Sequence, residues 1–194
     1  ITNLSDEERN MRRDNTKFRR VQAMIRGRYQ DADIALMYYE RLEEKDAMDN
    51  LGHAMVLERL NRLKEAAELY ATAESMALGD PLFLREVGIF HFKAGQFELA
   101  TNYLQRALMK EPHDVYALFY MARLLDEEGN SHEAAKYMER ILRYLPEDKE
   151  VHHHLGMING RGGDMFGAHY HLALEAIYGM DKKKTKFYME KVDA

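Results

Sequence analysis

The sequence repeats itself with a period of 34 residues, and no other feature constrains the fold as strongly. Glycine, alanine and proline all recur at this interval. The recurring positions are Gly95, Gly129 and Gly163; Ala66, Ala100, Ala134 and Ala168; and Pro112 and Pro146. A period of roughly 20 to 50 residues is typical of arrays in which each repeat is one supersecondary unit. We therefore predict repeats at 47–80, 81–114, 115–148 and 149–182.

The residue types within these repeats favour helices. Val, Ile and Thr together account for 18 of the 194 residues, and there are three prolines. Ala, Leu, Met, Glu, Lys and Arg are abundant, and their side chains lose little rotamer freedom in a helix. The chain is therefore predicted to be all-α. Because it has no cysteine, disulfides, thiolate zinc sites and a cysteine nucleophile are excluded.

Each repeat has the pattern of two antiparallel helices. A glycine near the middle permits a tight turn with positive φ, and small residues on either side of it allow the two helices to approach closely. Larger apolar residues fill the space between successive hairpins. The proline near the end of the repeat stops the second helix, because proline cannot continue the hydrogen-bonded ladder.

These features together resemble the tetratricopeptide (TPR) repeat over about residues 47–182. The resemblance implies a right-handed superhelical array of antiparallel helical hairpins, whose concave groove binds a peptide or a partner protein. It places on the groove wall Arg85, Ile89, Phe92, Tyr116, Phe119, Arg123, His153 and Met157. The alternative is that these side chains pack against neighbouring helices of the array itself.

Both ends of the chain depart from the regular pattern. Residues 1–46 are predicted to form a leading helix and a degenerate hairpin, and residues 183–194 a capping helix. The whole chain is then one continuous solenoid domain, whose core repeats from unit to unit.

The first 30 residues are basic, with eight basic and four acidic side chains. Apolar residues recur among them at helical spacing, namely Phe18, Val21, Ile25 and Tyr29. We interpret this segment as an ordinary amphipathic helix with a solvated basic face. No motif that reads nucleic acid accompanies the charge, so no nucleic-acid partner is predicted.

Five of the nine histidines lie late in the chain, at His152, His153, His154, His169 and His171. With glutamates on the same helix faces they raise the hypothesis of a metal-binding domain. His152 occupies a core position of its repeat, where a buried imidazole with satisfied hydrogen bonds is the ordinary outcome. Neither HExxH nor any other catalytic motif is present. We therefore predict no catalytic residue, no metal site and no cofactor.

The two ends of the chain resemble the C-terminal TPR region of BepA-type bacterial periplasmic zinc metalloproteases. The residues that carry this resemblance are Phe18, Val21, Gln22 and Ala23, then Ala168, His169, Ala173, Glu175, Tyr178, Gly179 and Asp181. It implies a non-catalytic domain, periplasmic or secreted, that contacts the protease domain or the outer-membrane protein assembly machinery. A free-standing TPR chaperone or assembly factor is the alternative. No apolar run is long enough to predict a membrane span.

Overall fold

The computed structural model describes residues 6–192, with side chains from residue 15 onward. Within this range there are eleven α-helices and no strand, so the all-α prediction is confirmed. The helices are α1 (Asp6–Arg28), α2 (Ala32–Glu40), α3 (Ala47–Arg59), α4 (Leu63–Met76), α5 (Pro81–Lys93), α6 (Phe97–Lys110), α7 (Val115–Glu127), α8 (Ser131–Leu142), α9 (Lys149–Arg161), α10 (Met165–Tyr178) and α11 (Lys182–Val192).

The helix boundaries follow the 34-residue period. The first helix of each hairpin begins at Ala47, Pro81, Val115 or Lys149, and the second begins at Leu63, Phe97, Ser131 or Met165. Successive starts of each kind are therefore 34 residues apart. The final helix, α11, begins one residue before the predicted cap.

One residue in each hairpin turn has a left-handed backbone. Gly95, Gly129 and Gly163 have φ values of 72°, 80° and 87°, and Asn61 occupies the same position in the first regular repeat with φ of 58°. Glycine adopts this conformation without a Cβ clash, and asparagine is among the few other residues that tolerate it. The turn glycines therefore have the role predicted for them.

A second periodic feature is an aspartate at the start of the first helix of each regular hairpin. Asp46, Asp114 and Asp148 are N-caps whose side chains accept hydrogen bonds from backbone N–H groups of α3, α7 and α9. Asp80 lies at the equivalent position and accepts from the Leu82 N–H at 3.0 Å. These carboxylates satisfy amide groups that a helix start leaves without partners.

Close approach of the two helices in a hairpin depends on glycines, which have no Cβ. A Cβ added at Gly156 would lie 2.8 Å from Leu172 Cγ, and one at Gly88 would lie 2.8 Å from Leu104 Cγ. Both distances are shorter than real Cβ contacts, so a larger residue would push the helices apart. The small positions of the repeat therefore act as predicted.

The chain packs as two compact units, divided between Phe83 and Leu84. In the first unit, α1, α2 and α4 all pack against α3. In the second unit, α6 to α10 each pack against the next helix along the chain. Two core clusters of the second unit each join residues of two successive hairpins. Among the described residues, no helix has the length and hydropathy needed to cross a bilayer.

The structure of α1 differs from the sequence interpretation, which placed the basic residues in solvent and the apolar residues against the protein. α1 contacts α3 through small residues: Ala23 is buried, and a Cβ on Gly27 would lie 2.9 Å from Met55 Sδ. The apolar residues point the other way, with exposed fractions of 65% for Phe18 and 55% for Ile25. The basic Arg19 is engaged instead, since it forms ion pairs with Asp46 and Asp49. Close helix packing selects small residues, which leaves the large ones outside.

Candidate functional site

The candidate site is the surface that α7 and α9 form in the second unit. It comprises Tyr116, Phe119 and Arg123 on α7, with His153 and Met157 on α9; we call it the α7–α9 surface. Tyr116 is 56% exposed and Met157 is 42% exposed, which is high for side chains of this size and polarity. Five of the eight predicted groove residues therefore lie together on adjacent helices.

An apolar cleft of about 240 Å³ opens between the starts of α7 and α9. Its apolar lining consists of Val115, Tyr116, Phe119, Tyr120, Ile141, Leu145 and Val151. The acidic residues Asp148 and Glu150 also line it. A cleft of this size accommodates one or two side chains of a peptide but not a drug-sized ligand, which needs about 300 Å³ or more.

Beside Arg123 the surface is aromatic, and its histidine is uncharged at neutral pH. The rings of Phe119 and His154 meet edge to face, with 4.9 Å between their centroids. Burial, followed by the positive charge of Arg123, lowers the pKa of His154 to about 4. The Arg123 guanidinium itself lies 4.9 Å from the centre of the Phe92 ring. His154 is therefore neutral at pH 7 and presents an aromatic surface rather than a cation.

A second, more polar cleft of about 500 Å³ continues along α9 toward α10 and α11. Acidic and basic groups alternate in its lining, which includes Lys149, Glu150, His153, Glu175 and Lys184. His153 Nδ1 lies 3.4 Å from Glu175 Oε2. The surface thus passes from an apolar pocket to a region that carries charges of both signs.

Three of the predicted groove residues belong elsewhere, and their assignment to an accessible groove wall is corrected. Ile89 and Phe92 are 2% and 8% exposed and are members of a hydrophobic core cluster. The guanidinium of Arg85 is largely buried and binds Asp114 at 2.8 Å and Glu86 at 2.7 Å. In this repeat the alternative holds, because the array packs these side chains within itself.

Among the late histidines His152 is buried, and it contacts the half-buried His171. His152 Nε2 lies 3.0 Å from the Pro146 carbonyl oxygen, and His152 Nδ1 lies 3.0 Å from His171 Nδ1. Because a carbonyl only accepts, His152 donates from Nε2. Tyr178 stacks on the His152 ring at 5.5 Å. His152 is thus the satisfied buried imidazole that its core position predicts.

The histidine arrangement gives no set of metal ligands in the described part of the chain, where no three His, Asp or Glu side chains converge. Burial, with His152 as the next cause, lowers the pKa of His171 to about 4. His171 is therefore neutral at pH 7, and its contact with His152 serves the packing of α9 on α10.

Sequence reasoning missed the residues that complete the apolar cleft, notably Tyr120, Leu145 and Asp148. Leu145 follows the end of α8 and precedes Pro146, so no helical periodicity indicated its orientation. Asp148 did carry a signal. Together with Asp46, Asp80 and Asp114 it recurs at the 34-residue period, which predicts an N-cap at the start of every first helix.

Two family models match the chain over its regular repeats. A model described as tetratricopeptide repeat matches residues 91–158. Another, described as YpiA-like, C-terminal tetratricopeptide repeats, matches residues 48–114. The chain contains TPR repeats. This confirms the resemblance read from the period, while neither model connects the chain with a BepA-type protease.

Solved structures show the same fold at low sequence identity. MamA from Desulfovibrio magneticus RS-1 has a TM-score of 0.69 at 20% identity, and the match covers 86% of this chain and 96% of that one. A MamA structure described as MSR-1 C2 has a TM-score of 0.68 at 15% identity, covering 86% and 97%. YrrB, described as a TPR protein with an unusual peptide-binding site, has a TM-score of 0.64 at 21% identity, covering 82% and 84%. No curated protein sequence matches the chain.

Proposed function

We propose that this TPR chain is a protein-interaction module that binds a peptide segment of a partner on the α7–α9 surface. The observation that carries the proposal is the exposure of Tyr116 in the lining of an apolar cleft, with Met157 also exposed on α9 of the same surface. Exposed apolar side chains that cluster around a concavity usually mark an interface. The peptide-binding site named for YrrB, a protein of the same fold, supports the same role.

The chemistry of the cleft defines the peptide. An aromatic or aliphatic side chain of the peptide enters the pocket beside Phe119 and Tyr120, where it is buried from solvent. Glu150 at the edge of the same pocket is exposed and favours a neighbouring Lys or Arg in the peptide. The preferred ligand is therefore an apolar residue flanked by a basic one.

The test is a selection of phage-displayed random peptides on the full chain, followed by fluorescence anisotropy with an enriched peptide. Tyr116→Ala and Met157→Glu are each expected to weaken binding about tenfold, equivalent to about 1.4 kcal/mol. The matched control is Met109→Glu, because Met109 is 74% exposed on α6 and lies outside the α7–α9 surface. Binding that survives both α7–α9 variants, or that the control reduces equally, contradicts the proposed surface.

Attachment to a BepA-type zinc metalloprotease in the periplasm remains a proposal that rests on the resemblance of the two chain ends. The reading frame of the gene tests it. An HExxH motif in the same polypeptide supports the protease parent, and its absence from the complete frame favours the free-standing TPR chaperone. A signal sequence in that frame tests the periplasmic or secreted location.

A further inference from the structure

The aspartates that begin the first helices of the regular hairpins bind an arginine as well as capping the helix. In three successive repeats one carboxylate oxygen, Oδ1, accepts a backbone N–H of the helix. The other oxygen, Oδ2, bonds a guanidinium. The three pairs are Asp46 with Arg19, Asp80 with Arg20, and Asp114 with Arg85.

These arginines reach their aspartates from different places in the chain. Arg20 lies 60 residues before its aspartate, and Arg85 lies 29 residues before its own. The pairing is therefore not one periodic motif copied three times. The capping aspartate keeps Oδ2 available for a cation, and on each occasion a guanidinium binds there.

The fourth aspartate of this series, Asp148, has the cap without the arginine. Its Oδ1 accepts the N–H groups of Glu150 and Val151 at 2.9 and 3.0 Å. No side chain in the described part of the chain donates to its Oδ2. The residue 34 positions after Arg85 is Phe119, whose ring cannot donate to a carboxylate. The cation that the earlier repeats supply from within is thus missing at Asp148.

The apolar cleft of the α7–α9 surface opens at this carboxylate. Asp148 and Glu150 both line the cleft, and no basic side chain of the described residues does so. The adjacent Lys149 lines the second, polar cleft instead. The apolar cleft therefore combines two carboxylates with apolar walls, and it lies between two hairpins in the interior of the array.

The site of Arg85 shows which group such a cleft accepts. The guanidinium of Arg85 bonds Asp114 at 2.8 Å and Glu86 at 2.7 Å. It also lies 5.3 Å from the centre of the Tyr116 ring. Two carboxylates and an aromatic ring thus hold one arginine. The apolar cleft offers the same groups one repeat later.

We propose that Asp148 is the specificity-determining residue of the α7–α9 surface, and that its Oδ2 binds the guanidinium of an arginine in the peptide. The inference rests on the proposed function, because it assigns the basic residue of that peptide. Glu150 supplies the second carboxylate, and the arginine stem lies against the rings of Phe119 and Tyr120. Arginine is preferred to lysine because its planar fork can bond two carboxylates at once.

The probe is N-acetyl-phenylalanyl-arginine amide, which joins an apolar residue to an arginine. Its matched control is the citrulline compound, in which a neutral urea replaces the guanidinium. Both are titrated into the full chain, and ¹⁵N–¹H spectra are recorded. The amide signals of Glu150 and Val151 are expected to shift, because both groups donate to Asp148. The citrulline compound is expected to bind about tenfold more weakly, because it loses charge-assisted hydrogen bonds. Equal affinities overturn the proposal.

Asp148→Asn tests the carboxylate and keeps the cap, since asparagine caps helices as well as aspartate does. The variant retains Oδ1, but an amide NH₂ replaces Oδ2 and cannot accept a hydrogen bond. Binding of the arginine probe is expected to weaken about tenfold, with the citrulline compound unaffected. The matched control is Asp31→Asn, because Asp31 caps α2 through two bonds of 3.1 Å and lies in the first unit. Circular dichroism verifies both folds. Unchanged arginine binding in Asp148→Asn overturns the proposal.

Peptide selection on the wild type and on Asp148→Asn separates this inference from the proposed function. Wild-type peptides are expected to carry arginine beside an apolar residue, and the variant is expected to select the apolar residue without arginine. Wild-type peptides that lack arginine but are weakened by Tyr116→Ala overturn the role of Asp148 and leave the proposed function standing. Peptides that Tyr116→Ala does not weaken contradict the proposed function, whereas the arginine probe still tests Asp148 directly.

Discussion

Ile25 and Leu124 occupy the same position of the repeat, because residues 16–46 align with the first regular repeat at a spacing of 31 residues and the later repeats follow at 34. Their environments are nevertheless opposite. Leu124 is 1% exposed in the core between two hairpins, and Ile25 is 55% exposed on α1. Their sequence contexts are alike, with a small residue two positions before each, Ala23 or Ala122. This difference in exposure shows that an apolar residue at a given repeat position reflects the contact that the position makes when another hairpin packs against it. Whether it is buried depends on the neighbour.

The largest expected effect on stability comes from comparing alanine variants of these two residues. Leu124→Ala removes buried methyl groups and leaves a cavity, so it is expected to lower the free energy of unfolding by about 2–5 kcal/mol. Ile25→Ala at the equivalent exposed position is expected to change it by less than about 0.5 kcal/mol. Urea unfolding followed by circular dichroism measures both. A large loss in Ile25→Ala shows that α1 is covered in solution by the chain itself or by a second copy.

The small positions within a hairpin allow a second comparison, between two glycines of α9. Gly156→Ala places a Cβ 2.8 Å from Leu172 Cγ and is expected to destabilise by about 1–3 kcal/mol. Gly160→Ala places a Cβ 3.6 Å from Ala168 Cβ, an ordinary contact, so the helix propensity of alanine is expected to stabilise by about 0.5–1 kcal/mol. Thermal unfolding of the two variants is the measurement. Equal signs contradict the packing role assigned to Gly156.

Low pH is expected to destabilise the hairpin that contains His152 and His171. The folded-state pKa of His171, about 4, lies below the value of about 6.5 expected for an unfolded chain. The unfolded state therefore binds protons first as the pH falls. The stability contributed by neutral His171 is complete above pH 6.5 and is lost between about pH 6.5 and pH 4. After allowance for partial exposure of the ring, the loss is about 1 kcal/mol.

The measurement is the melting temperature as a function of pH for the wild type and for His171→Gln. The variant is expected to have a smaller dependence over this range, although His154 and His53 retain theirs because their pKa values are lowered as well. The first unit holds His53 and the second holds the other two, so hydrogen exchange of α10 resolves the local effect. A variant with an unchanged slope and unchanged exchange in α10 contradicts a role of His171 in the acid response.

The smallest effect concerns the turn in which the first regular repeat differs from the others. Asn61 has φ of 58° where the later repeats have glycine. Asn61→Gly relieves the left-handed backbone but adds freedom to the unfolded chain, so a net change within about 0.5 kcal/mol is expected. Gly95→Ala is the reciprocal variant and is expected to destabilise by about 1 kcal/mol or more. Thermal unfolding that ranks the two in the reverse order contradicts the common turn geometry.

The periodic part of the sequence predicted the fold well, because one contact pattern recurs at each step. The turn glycines and the close packing at Gly156 followed from a single 34-residue period, at which the helix starts also recur. Candidate surface residues were predicted less well. Tyr116 and Met157 are exposed, whereas Ile89 and Phe92 at the equivalent positions of another repeat are buried. Position in the repeat fixes the helix face, but the packing around each hairpin fixes its exposure.

Sequence alone thus established an array of TPR hairpins, its period, its turns and a buried His152, since these depend on contacts within a repeat or between adjacent repeats. Tertiary structure was needed for the outward orientation of Phe18 and Ile25, the ion pairs of Arg85, and the cleft that Leu145 completes. These features depend on pairs of residues far apart in the chain. A helix whose small face packs against a neighbour and whose apolar face remains exposed has the same periodicity as one packed the other way.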